Sequence, residues 1–319
     1  MKVSEVMKKL KDTGKYNNAQ LREIQVGLEE GLDVTHYLNP TFDYLQMRMI
    51  RLGLENGLDV SVYADPKFDS RQMYQLEEGL RLGLDVAICT DPKFTEEQMY
   101  QIVKGLQSGV DVSVYADTKF TPEQMERIRW GLQEFVDVSA YVDPKFNAAQ
   151  MREIFDGLKS GVDVSIYADT KFNHEQMRKI REGLEANLDV SIYAKSEFGW
   201  VQMREIREGL ENGVDISIYA DAKFNHDQMR EIRYGLEHNL DVSIYADPKF
   251  NGWQMHEIYT GLFKGIDVSG YADPALTRKQ MQDAREKLEH ERFVRFPYDT
   301  GSEEDAEVSE EILEKINVF

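Results

Sequence analysis

Residues 173–198 read Asn-His-Glu-Gln-Met-Arg-Lys-Ile-Arg-Glu-Gly-Leu-Glu-Ala-Asn-Leu-Asp-Val-Ser-Ile-Tyr-Ala-Lys-Ser-Glu-Phe. This 26-residue pattern recurs eleven times without insertion or deletion, and one glutamine marks each copy. We number the repeats 1 to 11 by these glutamines, which are Gln20, Gln46, Gln72, Gln98, Gln124, Gln150, Gln176, Gln202, Gln228, Gln254 and Gln280. A fixed period of this length is typical of stacked arrays in which each repeat contacts only its neighbours. Repetition therefore determines the expected fold.

Each repeat predicts one helix followed by a shorter helical element. In repeat 2, Asp43 is an N-cap candidate and Gln46 stands three residues later, which is the spacing of a capping box. Apolar residues follow at helical spacing up to Gly57, the expected left-handed residue after a helix. Asp59 then caps a short helix or 3-10 turn that ends before Pro66. The sequence thus predicts an all-α protein, a right-handed α-solenoid of eleven repeats.

Two positions of the repeat carry residues that need an explanation. Glycine stands in mid-helix in ten repeats, for example at Gly157, although it costs about 1 kcal/mol there relative to alanine. We expect the close approach of a neighbouring backbone or aromatic ring, such as the tyrosine of the short element, to require it. Gly157→Leu should then destabilise the array. Phe135 stands at the left-handed position, where other repeats have glycine or asparagine.

The ends of the chain depart from the repeat. Residues 1–15 predict an N-terminal cap helix, residues 16–290 the repeat array, and residues 291–319 a C-terminal cap and tail. The tail includes a predicted apolar helix over residues 309–319. Because terminal repeats need altered faces, we expect this helix to cover the exposed end of the array, or else to be a free interaction helix.

The composition is that of a folded protein. Hydrophobic residues make up 41% of the chain and charged residues 30%. The single Cys89 allows neither a disulfide framework nor a cysteine metal site. The sequence shows no secretion signal and no apolar run long enough for a membrane span. We expect a cytoplasmic protein that does not bind membranes.

The formal net charge of −20 limits the choice of partner. Acidic residues outnumber basic ones by 58 to 38, whereas a chain that binds phosphates needs a basic face. We therefore expect no direct nucleic-acid binding and favour a protein partner, such as a basic nucleic-acid-binding protein. Solubility alone also accounts for the charge.

Candidate catalytic and metal-binding residues form no recognisable set. The aspartates that recur at the Asp59 position could be read as a metal ladder. Adjacent helices lie about 8–10 Å apart, however, which is too far for two such carboxylates to share an ion, so we interpret them as caps. The six histidines include no pair at the i, i+4 spacing of a helical zinc site. We expect no enzyme activity, no metal and no cofactor.

Aromatic and apolar residues interrupt the charged outer face of the helices in repeats 3 to 6. We call this set the aromatic strip, and its members are Tyr74, Tyr100, Val103, Trp130, Phe135 and Phe155. Exposed apolar patches tend to mark interaction sites, and tyrosine and tryptophan suit interface anchors. We expect a protein-binding site here. Alternatively, Val103 and Phe155 fill a groove between repeats, and a local break at Phe135 buries Trp130.

A second aromatic group lies in repeat 10. It comprises Trp253, Tyr259 and Phe263, whereas Tyr234 in the preceding repeat appears in the sequence as an isolated aromatic residue. The nearness of this group to the chain end favours docking of the C-terminal tail. An external partner is the alternative.

The outer face of repeats 7 to 9 is ionic instead. Arg181 and Glu185, for example, stand four residues apart on one predicted helix. Such pairs contribute a few tenths of a kcal/mol each. We interpret this face as a solvated surface.

The stretch Gln-Met-Arg-Glu-Ile-Arg-Glu-Gly-Leu-Glu-Asn-Gly-Val-Asp-Ile-Ser-Ile-Tyr-Ala-Asp at 202–221 resembles repeats in proteins of gut Firmicutes, often found on phages or conjugative elements. The resemblance covers residues 16–290 and implies no particular activity. The architecture is similar to that of the leucine-rich repeat variant, an α-solenoid that pairs a helix with a 3-10 helix.

Two functions are compatible with these observations. The first is non-catalytic protein binding through the aromatic strip. The second rests on the acidic charge together with the mobile-element context, by analogy with acidic anti-defence proteins that imitate nucleic acid and occupy a basic channel of a restriction or CRISPR effector. Binding by such a decoy should weaken steeply with ionic strength, whereas an aromatic anchor should tolerate salt.

Overall fold

The computed structural model describes residues 2–295, apart from the side chains of residues 293–295. These residues contain twelve α-helices and no strand. The chain divides into two compact bodies, which we call the N-terminal body (Met1–Asn187) and the C-terminal body (Leu188–Phe319). The N-terminal body contains α1 Val3–Asp12, α2 Asn18–Glu29, α3 Tyr44–Glu55, α4 Ser70–Arg81, α5 Glu96–Ser108, α6 Pro122–Gln133, α7 Ala148–Ser160 and α8 His174–Glu185. The C-terminal body contains α9 Trp200–Glu211, α10 His226–Glu237, α11 Gly252–Phe263 and α12 Arg278–Arg295.

The short element of repeats 1 to 9 is a 3-10 turn of three residues. Its aspartate acts as predicted, because the Asp59 carboxylate accepts a hydrogen bond from the Ser61 amide at 3.1 Å. The N-terminal body contains the turns Val34–His36, Val60–Val62, Ala87–Cys89, Val112–Val114, Val138–Ala140 and Val164–Ile166. The C-terminal body contains Val190–Ile192, Ile216–Ile218 and Val242–Ile244.

The recurring glutamine has two roles, of which only one was predicted. In repeat 2 the Gln46 Oε1 accepts a hydrogen bond from the main-chain amide of Asp43. The Asp43 carboxylate accepts one from the main-chain amide of Gln46, which confirms the capping box. The Gln46 Nε2 also donates to the Phe68 carbonyl at 2.6 Å, in the segment that leads into the next helix. The same side-chain bond links one helix start to the next at Gln20, Gln72, Gln98, Gln124 and Gln150 in the N-terminal body and at Gln202, Gln228 and Gln254 in the C-terminal body.

The core of each body lies between consecutive helices. Within the N-terminal body each helix from α1 to α8 packs against the next, and within the C-terminal body α9 to α12 do the same. The apolar stripe of repeat 2, represented by Met47 and Ile50, is fully buried. Burial of one helix face against neighbours explains how helices that are marginal in isolation become stable. The predicted all-α solenoid is confirmed within each body.

The mid-helix glycine gives room to the tyrosine of the 3-10 turn, as predicted. A Cβ on Gly157 would overlap the Tyr167 hydroxyl and lie 3.0 Å from a methyl group of Val164. Tyr167 is fully buried, and its hydroxyl donates to the Glu153 carbonyl at 3.0 Å. The glycine therefore allows an aromatic ring to lie directly against the helix backbone.

The helices end as the sequence predicts. Gly57 has a φ of 69°, and Asn187 and Asn239 take the same left-handed conformation. Helix α12 lacks such a residue and continues past the predicted array boundary at residue 290 to Arg295. The predicted helix over residues 309–319 lies outside the described residues.

Candidate functional site

Three members of the aromatic strip lie on the surface of consecutive helices. Tyr74 on α4, Tyr100 on α5 and Trp130 on α6 are 50%, 42% and 38% exposed. The alternative in which a break at Phe135 buries Trp130 is therefore wrong. No ring contact joins these three side chains in the part of the chain that the structure describes. They form separate anchors along the surface rather than one cluster.

Phe135 is the most exposed of these residues. Its side chain is 96% exposed, and its φ of 57° lies in the left-handed region. A bulky residue in this conformation costs about 1–2 kcal/mol, and here no burial offsets the cost. Phe135 thus extends from the end of α6 as an apolar side chain that stabilises nothing in its own body.

Two buried polar atoms of repeat 5 have no hydrogen-bond partner among the residues that the structure describes. The equivalent tyrosines, such as Tyr167, donate to a main-chain carbonyl 14 residues earlier, but the Tyr141 hydroxyl has no partner. The Nε of Arg127 also has none, and its guanidinium lies 4.5 Å from the centre of the Trp130 ring. Unsatisfied buried groups cost about 1–3 kcal/mol each. Repeat 5 therefore combines exposed aromatic residues with local costs in stability.

Val103 does not belong to the exposed surface. It is 3% exposed, and its methyl groups lie 3.6 and 3.8 Å from the Cβ position of Gly79. In repeat 3 the residue at the tyrosine position is Cys89, which leaves space beside that glycine. Val103 from the next repeat and Val86 fill this space. The burial of Val103 supports the alternative that this residue fills a groove between repeats.

Phe155 is only partly exposed. It lies on α7, and the Lys159 ammonium is 5.6 Å from the centre of its ring. The contact covers one face of the ring with a cation of the same helix. Phe155 is therefore a flanking member of the aromatic strip, while Tyr74, Tyr100, Trp130 and Phe135 form its exposed part.

A groove of about 650 Å³ runs between α3 and α4 beside Tyr74. Leu45, Met49 and Leu52 line one side, and Leu45 is itself exposed. The carboxylate of Glu77 also lines the groove, although this residue is only 6% exposed. Arg48, Arg71 and Glu96 complete the lining, so the groove combines apolar walls, an exposed ring and charged groups of both signs.

A second groove, of about 430 Å³, lies between the N-terminal turns of α5 and α6. Tyr100 lines it together with the carboxylates of Glu96, Glu97, Glu123 and Glu126. The Lys104 ammonium lies 5.6 Å from the ring centre of Tyr100. The aromatic strip is therefore accompanied by negative charge in this groove.

Ion pairs between repeats are a feature that the sequence analysis missed. Arg181 on α8 donates to Glu153 on α7 at 2.9 Å and to Glu185 on its own helix at 2.8 Å. In the C-terminal body Arg233 and Glu205 form the same pair at 2.9 Å. Since these arginines are largely buried, the interpretation of this face as a solvated surface is wrong for them. Their carboxylate partners lie on the preceding repeat and connect adjacent helices.

The second aromatic group is larger than predicted. Phe263 packs edge-on against His238 at 4.9 Å between ring centres, and Tyr259 lies 5.9 Å from Phe263. Tyr234 is 6.3 Å from Tyr259, so it does not stand alone. Trp253 is separate from this cluster and packs under the guanidinium of Arg278 at 4.0 Å. The predicted docking of the tail falls outside the described residues.

The lone thiol and the acidic and histidine side chains of the described residues form no reactive or metal-binding centre. Burial raises the pKa of Cys89 to about 12, which makes the thiol unreactive. Within residues 2–295 no three His, Cys, Asp or Glu side chains are placed to hold a metal ion. None of the helices in this range has the length and apolar character that a bilayer crossing requires. The exposed aromatic strip and its two grooves remain the candidate site.

The whole chain was compared with known proteins. The comparisons covered protein families, curated proteins and solved structures. None of the three gave a match to this chain.

Proposed function

We propose that this chain is a non-catalytic protein-binding repeat protein that uses the exposed part of the aromatic strip in its N-terminal body. The observation that supports this most is Phe135, a 96% exposed phenylalanine held in a left-handed conformation. A residue that costs stability and buries nothing in its own chain is expected to contribute through a partner.

The neighbouring repeats support the same proposal. Tyr74, Tyr100 and Trp130 place large rings on successive helices, and aromatic residues supply much of the binding energy at protein interfaces. Consecutive helices of an array place such rings at regular intervals along an extended surface. The partner would therefore contact several repeats at once.

A pull-down with point variants tests the proposal. The tagged chain is incubated with nuclease-treated host lysate at low and at high salt, and captured proteins are identified by mass spectrometry. The double variant Tyr100→Ala and Trp130→Ala should lose a partner that the wild type retains at high salt. Trp200→Ala is the matched control, because Trp200 is also 38% exposed but lies in the C-terminal body. Equal capture by all variants would refute the proposed site.

A second function, the acidic decoy, is favoured by the row of exposed aspartates. The Ser165 hydroxyl and amide donate to Asp163 and lower its pKa, and the same arrangement recurs at Asp59 and Asp215. These carboxylates therefore stay ionised and repeat once per 26 residues. A decoy would bind a basic nuclease or effector that is released by salt or by competing DNA, and the double variant would leave that binding unchanged.

A further inference from the structure

The buried carboxylate of Glu77 stands out when the repeats are compared with one another. Position 77 is equivalent to Arg51, Arg129 and Arg181, and at each of these the arginine pairs with a side chain of the preceding repeat. In repeat 3 the charge is reversed, since a glutamate takes the place of the arginine. The preceding repeat supplies Met49 where the pairs have glutamate or glutamine.

Glu77 forms no ion pair in the described part of the chain, although the exposed Arg48 and Arg71 line the same groove. Its hydrogen-bond partner there is the Asn56 amide, at 3.3 Å, which is a long contact. The neighbouring Arg81 is engaged with Glu78 at 2.6 Å. A carboxylate that is 6% exposed is expected to be paired, because desolvation of an unpaired charge is costly. Within residues 2–295 the Glu77 carboxylate is thus a buried charge that forms no ion pair.

The groove around Glu77 has the shape and surface for an incoming side chain. Glu77 lies in the groove whose walls include Met49 and Leu52 and whose rim includes the half-exposed Tyr74. Apolar walls accommodate the methylene stem of a long basic side chain. A planar guanidinium can stack on a tyrosine ring and also bond to a carboxylate, which an ammonium does less well.

We propose that this groove binds an arginine side chain of the partner protein, flanked by apolar residues, with the guanidinium paired to Glu77. This proposal rests on the proposed protein-binding function and identifies the chemistry of the partner. The incoming arginine would restore the pairing that the other repeats make within the chain. The net charge of −20 adds long-range attraction for a basic segment.

Methyl NMR tests the groove without knowledge of the natural partner. The chain is labelled with ¹³C at the methionine methyl groups, so that Met49 reports on the groove. The probe is the blocked peptide acetyl-Leu-Arg-Leu-amide, and the comparison peptide has the neutral citrulline in place of arginine. The arginine peptide should shift the Met49 signal in a saturable manner and bind at least tenfold more tightly than the citrulline peptide.

Two variants separate the specific pair from general electrostatics. Glu77→Gln should abolish the preference for arginine over citrulline, whereas Glu29→Gln, which removes the same charge at an exposed residue of α2 outside the groove, should leave it unchanged. Retention of the preference in Glu77→Gln, or equal shifts with both peptides in the wild type, would overturn the proposal. The lysate experiment has a separate outcome, because loss of capture in the Tyr100 and Trp130 variant tests protein binding whether or not the peptide binds.

Discussion

Alanine at Gly157 tests the packing that holds each helix against its 3-10 turn. The new Cβ would overlap the Tyr167 hydroxyl and lie 3.0 Å from Val164. Tyr167 is fully buried and donates to the Glu153 carbonyl, so the ring cannot withdraw without losing that hydrogen bond. The substitution therefore causes overpacking and also breaks a buried hydrogen bond.

The expected loss of stability is about 3 kcal/mol. Overpacking costs about 1–3 kcal/mol and a broken buried hydrogen bond about 1–3 kcal/mol, whereas alanine gains about 1 kcal/mol over glycine within a helix. Hydrogen–deuterium exchange is the suitable assay, because repeat arrays open locally rather than always in one step. Amides of α7 and of the following turn should exchange about 100-fold faster, and those of α2 should not change.

The variant Tyr167→Phe provides the control for this reasoning. Without the hydroxyl, the alanine methyl group at position 157 has more room, so the penalty of Gly157→Ala should shrink by about 2 kcal/mol in that background. If Gly157→Ala accelerates exchange equally in both backgrounds, or does not accelerate it at all, the hydroxyl is not what excludes a Cβ. The packing explanation for the recurring glycine would then be wrong.

Four single variants test individual contacts. Tyr167→Phe should destabilise its repeat by about 1 kcal/mol in urea unfolding, whereas Tyr141→Phe, which removes an unpaired hydroxyl, should be neutral or stabilising; equal losses would contradict the assignment. Phe135→Gly should raise the free energy of unfolding by about 0.5–1 kcal/mol and weaken partner capture; a loss of stability would show that the ring is used within the fold. The hydrogen bond with Glu231 raises the pKa of His256, so stability from this pair is present below about pH 6.5 and is lost as pH rises through the folded-state pKa. His256→Gln should therefore flatten the fall in unfolding free energy as pH rises above about 6.5, and an unchanged slope would exclude the pair as its source.

Local features of the fold were predictable because each depends on residues close together in the sequence. The capping box of Asp43 and Gln46, the left-handed Gly57 and the contact between Gly157 and Tyr167 all lie within one repeat. Contacts between repeats were harder to predict. The ion pair of Arg181 with Glu153 joins residues on two different helices, so it forms only if α7 and α8 pack in a particular way.

The candidate site was predicted only in part, for a related reason. Tyr100 and Trp130 are exposed because their positions on the helix face solvent, which the helical period indicates. Val103 lies beside them in the sequence pattern but is buried, because Cys89 in the preceding repeat leaves a space that a tyrosine ring otherwise fills. Comparing residues two beyond one period apart would have revealed the reversed charge at Glu77 opposite Met49, and comparing position 89 with position 103 across the repeats would have revealed the compensation between Cys89 and Val103.

The hydrogen bonds of the recurring glutamines have a consequence for how such a chain changes in length. Gln46 bonds to the carbonyl of Phe68, and Gln72 bonds in the same way to Phe94, so successive junctions use the same atoms. Removal or duplication of one whole period leaves every remaining junction with its proper partner. A change of one or two residues instead misplaces the acceptor and leaves a buried amide unpaired. Recombination that adds or removes whole periods should therefore preserve these hydrogen bonds. It would give a partner a longer or shorter surface on the same fold.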